Sequence, residues 1–189
     1  QDHLKIFDVN PGTGAKKIMY EEQQKTWVDL EDRAGQRFTF LKNKAAFILE
    51  SDKTGWNHLY LHNNDGSLIN PITSGEFTVL NTELIDEKNG LVYFTARGKE
   101  NTARTDLYSV KMNGSEMKRL TFGDYNHTQV RLSPNGKYFV TSYSNTTTPT
   151  KMTLLDGKGK IVRELGDSKG SAMGDFQIAK TEFIRIKSA

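Results

Sequence analysis

The 189-residue chain has no cysteine. Disulfide frameworks and thiolate metal centres are therefore excluded, although an exported protein can also do without cysteine, so the compartment stays open. Long apolar runs are absent too: nothing approaches the ~20 residues of a membrane-spanning helix. No basic start leads into an apolar stretch of the signal-peptide kind. The chain opens in mid-strand, at Asp2-His3-Leu4-Lys5-Ile6-Phe7, and reads as an excised piece. Clustered charge is missing as well. The net charge is +3, with 26 Lys and Arg residues scattered along the chain, so nucleic acid is not an expected partner. Only Tyr20–Lys25 is friendly to a helix. Four His residues occur, and they do not cluster. His58 and His62 stand four apart in a strand-like pattern, which places them ~13 Å apart along the chain, too far for one ion. His3 and His127 are isolated, and no metal or other cofactor is expected.

What is present is β-structure. Runs such as Lys44–Glu50, Leu91–Thr95 and Lys137–Ser142 carry the Phe, Tyr, Ile and Val that suit a half-buried pleated surface. Between the runs lie Asp65-Gly66, Asn89-Gly90, Asn113-Gly114, Asn135-Gly136 and Asp156-Gly157. Such dipeptides accept the positive φ values of a two-residue type I′ hairpin, so each predicts an antiparallel reversal.

The chain also repeats itself. "HLYLHNNDGSLINPITSGE" (58–76) returns as "DLYSVKMNGSEMKRLTFGD" (106–124): an aromatic strand, a Gly turn, a polar strand, then Thr-x-Gly-acid. Gly66, Thr73 and Gly75 pair with Gly114, Thr121 and Gly123, each 48 positions on. A period of roughly 40–50 residues with four strands per unit is the mark of a β-propeller blade. A β-sandwich would not need the same Thr-x-Gly-acid at the same phase. The expected fold is all-β, a partial propeller of about three to four blades of four-stranded antiparallel sheet. The blades are placed at roughly 1–43, 44–90, 91–136 and 137–170, within a propeller region 1–175. Tyr60 and Tyr108, Phe47, Phe94 and Phe139, and Leu120 and Leu165 are the residues expected where one blade meets the next. Rings close with about four to eight blades, so the chain is expected to be part of a larger ring.

Several stretches carry a resemblance. "FILESDKTGWNHLYLHNNDGSLINPITSGEFTV" (47–79), "LVYFTARGKENTARTDLYSV" (91–110), the segment 119–165 and, upstream, "TWVDLEDRAGQRFTFL" (26–41) together resemble the dipeptidyl peptidase IV family, within the prolyl oligopeptidase group of serine peptidases. "SDKTGWNHLYL" is the more specific element, whereas Ser-Pro-Asn-Gly-Lys is shared by many propellers. The resemblance implies an eight-bladed propeller capping an α/β-hydrolase domain, with this chain as the later half of the propeller. Residues 176–189 would then be the strand leading toward a hydrolase domain that the sequence does not contain. It further implies an extracytoplasmic setting (periplasmic or secreted), homo-oligomers, and removal of dipeptides with Pro or Ala in second position.

Three stretches invite a catalytic or binding role. Gly166-Asp167-Ser168-Lys169-Gly170 matches G-x-S-x-G, but a nucleophile elbow needs a strand–turn–helix with Asp and His following. Only 21 residues follow Ser168, with no His among them, so no catalytic residue is assigned. Tyr20-Glu21-Glu22 looks like the paired acid with which the family holds a free amino terminus. It sits just after a hairpin and before Trp27-Val28, and it is read as a solvated acidic turn. The loop after Trp27-Val28 is, by resemblance, a cavity-facing wall of the substrate site, and it offers Asp29, Glu31, Asp32 and Arg33 as substrate-binding candidates. Sequons at Asn113, Asn126 and Asn145 would be glycosylated only in a eukaryotic secretory route. The expected function is thus non-catalytic: a propeller that gates peptide access to a serine exopeptidase. The alternative is part of a stand-alone propeller that binds proteins or glycans.

Overall fold

The computed structural model describes residues 2–25, 27–28, 37–98 and 101–171, with Glu182, Ile184 and Ile186 beyond them. Fourteen strands and no α-helix occur among the described residues. β1 (His3–Val9) and β2 (Lys16–Gln23) form a hairpin. The first four-stranded sheet follows in chain order: β3 (Phe38–Phe40), β4 (Ala46–Ser51), β5 (His58–Asn63) and β6 (Leu68–Pro71). The second is β7 (Phe77–Asp86), β8 (Leu91–Gly98), β9 (Asn101–Lys111) and β10 (Lys118–Arg119). The third is β11 (Asn126–Leu132), β12 (Tyr138–Ser144), β13 (Lys151–Asp156) and β14 (Ile161–Asp167). Every pairing among the described residues is antiparallel and joins neighbours in sequence.

These meandering four-stranded sheets are propeller blades. They begin one strand earlier than the sequence repeat suggests, at 38, 77 and 126 rather than 44, 91 and 137. A period fixes the length of a unit and not its phase. The strongest strands, β4, β8 and β12, are second in their sheets, and the less apolar β7 and β11 open theirs.

Among the described residues no blade has a core of its own. Apolar side chains from successive sheets share one cluster at each junction. Tyr20 of β2 meets Phe47 and Leu49 of β4. Ile48, Leu59 and Leu61 of the first sheet meet Val92, Phe94 and Val110 of the second. Tyr93, Leu107 and Leu120 of the second region meet Val130, Phe139 and Leu155 of the third. Phe47, Phe94 and Phe139 share one face of the second strand of their sheets, and all three are directed at the preceding unit and fully buried. By register the counterpart of Phe47 and Phe139 is Val92, and Phe94 stands two residues further along, in the place of Leu49. Each such ring contributes about 1.5–3 kcal/mol through burial. Tyr60 and Tyr108 share a strand face with Phe47 and Phe94 through the registers Leu49↔Tyr60 and Phe94↔Tyr108. Leu165 does not sit at a junction. It lies exposed on β14, which among the described residues pairs only with β13.

The hairpin turns differ from the expected type I′. That turn needs positive φ at both central residues, and neither Asp65, Asn113 nor Asn135 has it. Instead the N–H groups of Gly66, Gly114, Gly136 and Gly159 donate to the carbonyls of Asn63, Lys111, Ser133 and Asp156, three residues back. These are type I turns followed by a left-handed Gly, the longer hairpin with a bulge. The Asx side chains explain the choice. Asp65, Asn113 and Asn135 accept the N–H two residues ahead, from Ser67, Ser115 and Lys137, a bond that stabilises the type I geometry. In the last hairpin the left-handed residue is Gly159, not Gly157.

Candidate functional site

Antiparallel meanders place all the connections at two ends. One end carries the Gly turns. The other carries the loops β4–β5, β8–β9 and β12–β13 together with the segments that cross from one blade to the next. The Thr-x-Gly-acid motif forms two of those crossings, and the structure shows what the repeat is for. Thr73 Oγ1 accepts the Leu59 N–H at 2.9 Å, and Thr121 Oγ1 accepts the Leu107 N–H at 3.2 Å. Each hydroxyl therefore pins the end of the fourth strand to the third. Thr121 then donates to Asp106 Oδ1 at 2.7 Å. His58 occupies the equivalent place to Asp106. Its Nε2 lies 3.1 Å from the Gly75 carbonyl, which can only accept, so Nε2 carries the proton and Nδ1 accepts from Thr73 at 3.1 Å. A neutral imidazole here does the work of a carboxylate, and burial lowers its pKa.

Asp106 differs from His58 in its charge and hence in its neighbours. Its side chain is 4% exposed and is held by Arg119 Nη2 at 2.7 Å and Arg104 Nε at 3.1 Å. Arg104 Nη1 extends outward to Asp124, the acid of the second Thr-x-Gly-acid, at 2.6 Å. Above this chain of charges opens a cavity of about 400 Å³ lined by Arg104, Asp124, Tyr125, Asn126, Ser144 and Asn145. Tyr125 packs edge-on against Phe122 and Tyr143, with ring centroids at 5.9 and 4.9 Å. Asn126 Oδ1 accepts the Thr105 N–H, and Asn145 Oδ1 accepts the Thr147 and Thr148 N–H groups. The cleft is thus a recess of mixed polar and aromatic lining at the seam of two blades. Sequence reasoning missed it because Arg104 and Ser144 lie 40 positions apart. The usable signal was the equivalence of Asp106 with His58, which marks where an ionic group replaces a neutral one.

The residues singled out from the sequence fare differently. Asp29, Glu31, Asp32 and Arg33 lie outside the described residues. Glu21 and Glu22 fall on opposite faces of β2. Glu21 is exposed and pairs with His3 and Lys5. Glu22 is buried, not a solvated turn residue, and accepts from Tyr20 Oη at 2.6 Å, Ser51 Oγ at 2.7 Å and Gln24 Nε2 at 2.7 Å. Burial pushes its carboxyl up, and the hydrogen bonds from Tyr20, Ser51 and Gln24 outweigh it, leaving the pKa below the ordinary carboxylate range. The two acids do not converge on one ligand, and Glu22 instead ties the first hairpin to the first blade. Ser168 stands in an exposed irregular stretch after β14, its N–H bonded to the Thr150 carbonyl. His62 stacks on Phe47 at 5.3 Å and donates Nδ1–H to the Gly66 carbonyl at 2.9 Å. His127 Nε2 donates to the Phe122 carbonyl at 2.9 Å. Among the described residues no group of three His, Asp or Glu side chains could hold a metal ion.

Comparison with known proteins places this architecture. Residues 1–150 match the family model for the dipeptidyl peptidase IV (DPP IV) N-terminal region. Dipeptidyl peptidase 4 of Arthroderma otae is 27% identical over 192 residues, covering 99% of this chain and 24% of the relative. Probable dipeptidyl peptidase 4 of Emericella nidulans is 28% identical over 161 residues, covering 79% of this chain and 20% of the relative. Among solved structures, Porphyromonas gingivalis dipeptidyl peptidase 4 superposes with a TM-score of 0.76 at 27% identity, covering 93% of this chain and 24% of that one. A putative dipeptidyl aminopeptidase IV from Bacteroides ovatus superposes with a TM-score of 0.74 at 23% identity, covering 92% and 27% respectively. The chain spans about a quarter of the length of the curated relatives it matches. With blades of this order, and a family match over residues 1–150, the chain belongs to the dipeptidyl peptidase IV N-terminal region family.

Proposed function

We propose that this chain is the non-catalytic propeller portion of a dipeptidyl peptidase IV-like serine exopeptidase. The parent enzyme would remove X-Pro and X-Ala dipeptides from peptide amino termini. The observation that carries this reading is the superposition of 93% of the chain on 24% of the P. gingivalis dipeptidyl peptidase 4 chain. In this reading residues 1–175 belong to the propeller and 176–189 lead toward the hydrolase domain, which is the chain's principal partner. The propeller acts as a filter. A folded protein cannot pass a narrow channel between rigid blades, whereas an extended peptide terminus can, so the hydrolase meets only short or unfolded ends. Asp29, Glu31, Asp32 and Arg33 belong to the wall that faces the peptide, where carboxylates would pair with its ammonium group. The parent works outside the cytoplasm, in a periplasm or after secretion, and as a homo-oligomer.

The reading is tested by following the reading frame past Ala189 and assaying the product. The expected result is a G-x-S-x-G strand–turn–helix with later Asp and His, and turnover of a Gly-Pro chromogenic substrate by the whole protein but not by these 189 residues. Further blades or a stop in place of a hydrolase would overturn it in favour of a stand-alone binding propeller.

A further inference from the structure

The cleft between the second and third four-stranded sheets contains a guanidinium whose two ends are held very differently. Arg104 Nε is anchored by Asp106, which is buried and already neutralised by Arg119 and hydrogen-bonded by Thr121. Asp106 therefore does not need Arg104 for its charge, and Arg104 is a cation oriented by a fixed acceptor and balanced by Asp124. Its outer Nη1 rests on Asp124, whose side chain is 84% exposed. Ion pairs with so exposed a partner are weak and exchangeable. Asp124 also shows the geometry that an arriving carboxylate would take.

The surroundings suit such a group. The cavity, about 400 Å³, lies toward the small end of ligand pockets, which run from roughly 300 to 1,000 Å³. Tyr125 lines it and is braced by edge-to-face contacts with Phe122 and Tyr143. Asn126, Ser144 and Asn145 give it polar edges. A planar guanidinium fork beside an aromatic plane recognises a carboxylate that carries a short, partly apolar body.

We propose that this cleft binds the carboxyl end of a short peptide. Arg104 is its receptor, Asp124 is the internal carboxylate it displaces, and Tyr125 is the surface on which the adjoining residue packs. The site shares no residue with the loop that carries Asp29–Arg33, and its occupation does not depend on peptide hydrolysis.

Titration calorimetry on the full-length protein that carries this chain tests it. The probes are N-acetyl-Ala-Pro as the free acid, its carboxamide, and acetate. The acetyl cap removes the amino terminus that a peptidase site would hold. The free acid is expected to bind saturably, the amide not at all, and acetate about tenfold more weakly because it lacks the body that Tyr125 meets. Asp124→Asn removes the competing carboxylate and should tighten binding roughly two- to fivefold. Arg104→Gln should weaken it by about tenfold or more. Equal binding of acid and amide, or affinities unchanged in both variants, would overturn the proposal, as would the lack of saturable binding by both the wild type and Asp124→Asn. Acetate binding as tightly as the peptide would overturn the peptide assignment and leave a small free carboxylate as the ligand. If Arg104→Gln does not fold, the amide comparison and the exposed Asp124→Asn variant still decide the matter.

Discussion

Gly66 lies so close to Met19 that a Cβ on it would sit 1.5 Å from the Met19 carbonyl oxygen. The turn of one blade is thus pressed onto the backbone of the last strand of the unit before it. The same relationship recurs between Gly159 and the Leu120 carbonyl, at 2.3 Å, and between Gly114 and the Pro71 carbonyl, at 2.9 Å. The turn glycine is therefore a blade-packing residue as well as a turn former.

That doubling is testable because Gly14 has the positive φ without the neighbour: none of the described residues lies within 4 Å of its would-be Cβ. Gly14→Ala should cost only the conformational term, about 1–2 kcal/mol. Gly66→Ala should cost about 3 kcal/mol or more, since overpacking adds to it. Urea midpoints of the two variants check this, and equal losses would show that the blade contact contributes nothing.

The Thr corner makes a second prediction. Thr121→Val keeps the volume but strips the Leu107 N–H of its acceptor and Asp106 of a donor, both buried. A loss of about 1–3 kcal/mol is expected. Thr121→Ser keeps the hydroxyl and should recover most of it. Denaturant unfolding of the pair reads the difference, and similar losses in the two would point to the methyl group instead.

Acid should loosen the blade seams. Burial lowers the pKa of His58, His62 and His127. A His pKa lower in the folded than in the unfolded state contributes stability above about pH 6.5, and that contribution is lost as pH falls below it. Glu83 works in the other direction, because burial raises its carboxyl and its contribution grows as pH falls. Glu22 holds its pKa below the ordinary range and loses its contribution only at lower pH. Urea midpoints are expected to drop between pH 7.5 and 5.5, and less steeply in His62→Gln. The same slope in both would remove His62 from the account.

Surface exposure predicts association. Tyr138 and Met152 lie on the face of the third sheet turned away from the second, and both are exposed. Unpartnered blade faces invite a second chain. The 189-residue chain alone should self-associate in sedimentation velocity, and Tyr138→Lys with Met152→Lys should shift it toward monomer. A monodisperse monomer at tens of micromolar would contradict this.

Sequence alone determined the strands, their antiparallel order and the four-stranded period, because alternation and turn residues are local and the repeat compares the chain with itself. Phe47, Phe94 and Phe139 were legible as junction residues because each is a large apolar side chain in a strongly apolar strand, although the register puts Val92 and not Phe94 in line with the other two. Tertiary structure decided the rest. The phase of the blades follows from which strand completes each sheet. The turn type follows from Asx side chains bonding ahead, and the burial of Glu22 follows from Ser51, 29 residues away, reaching back to it. Arg104, Asp124 and Asn145 become neighbours only when two blades are pressed together. Contacts of that kind depend on how the units stack, which no local pattern encodes.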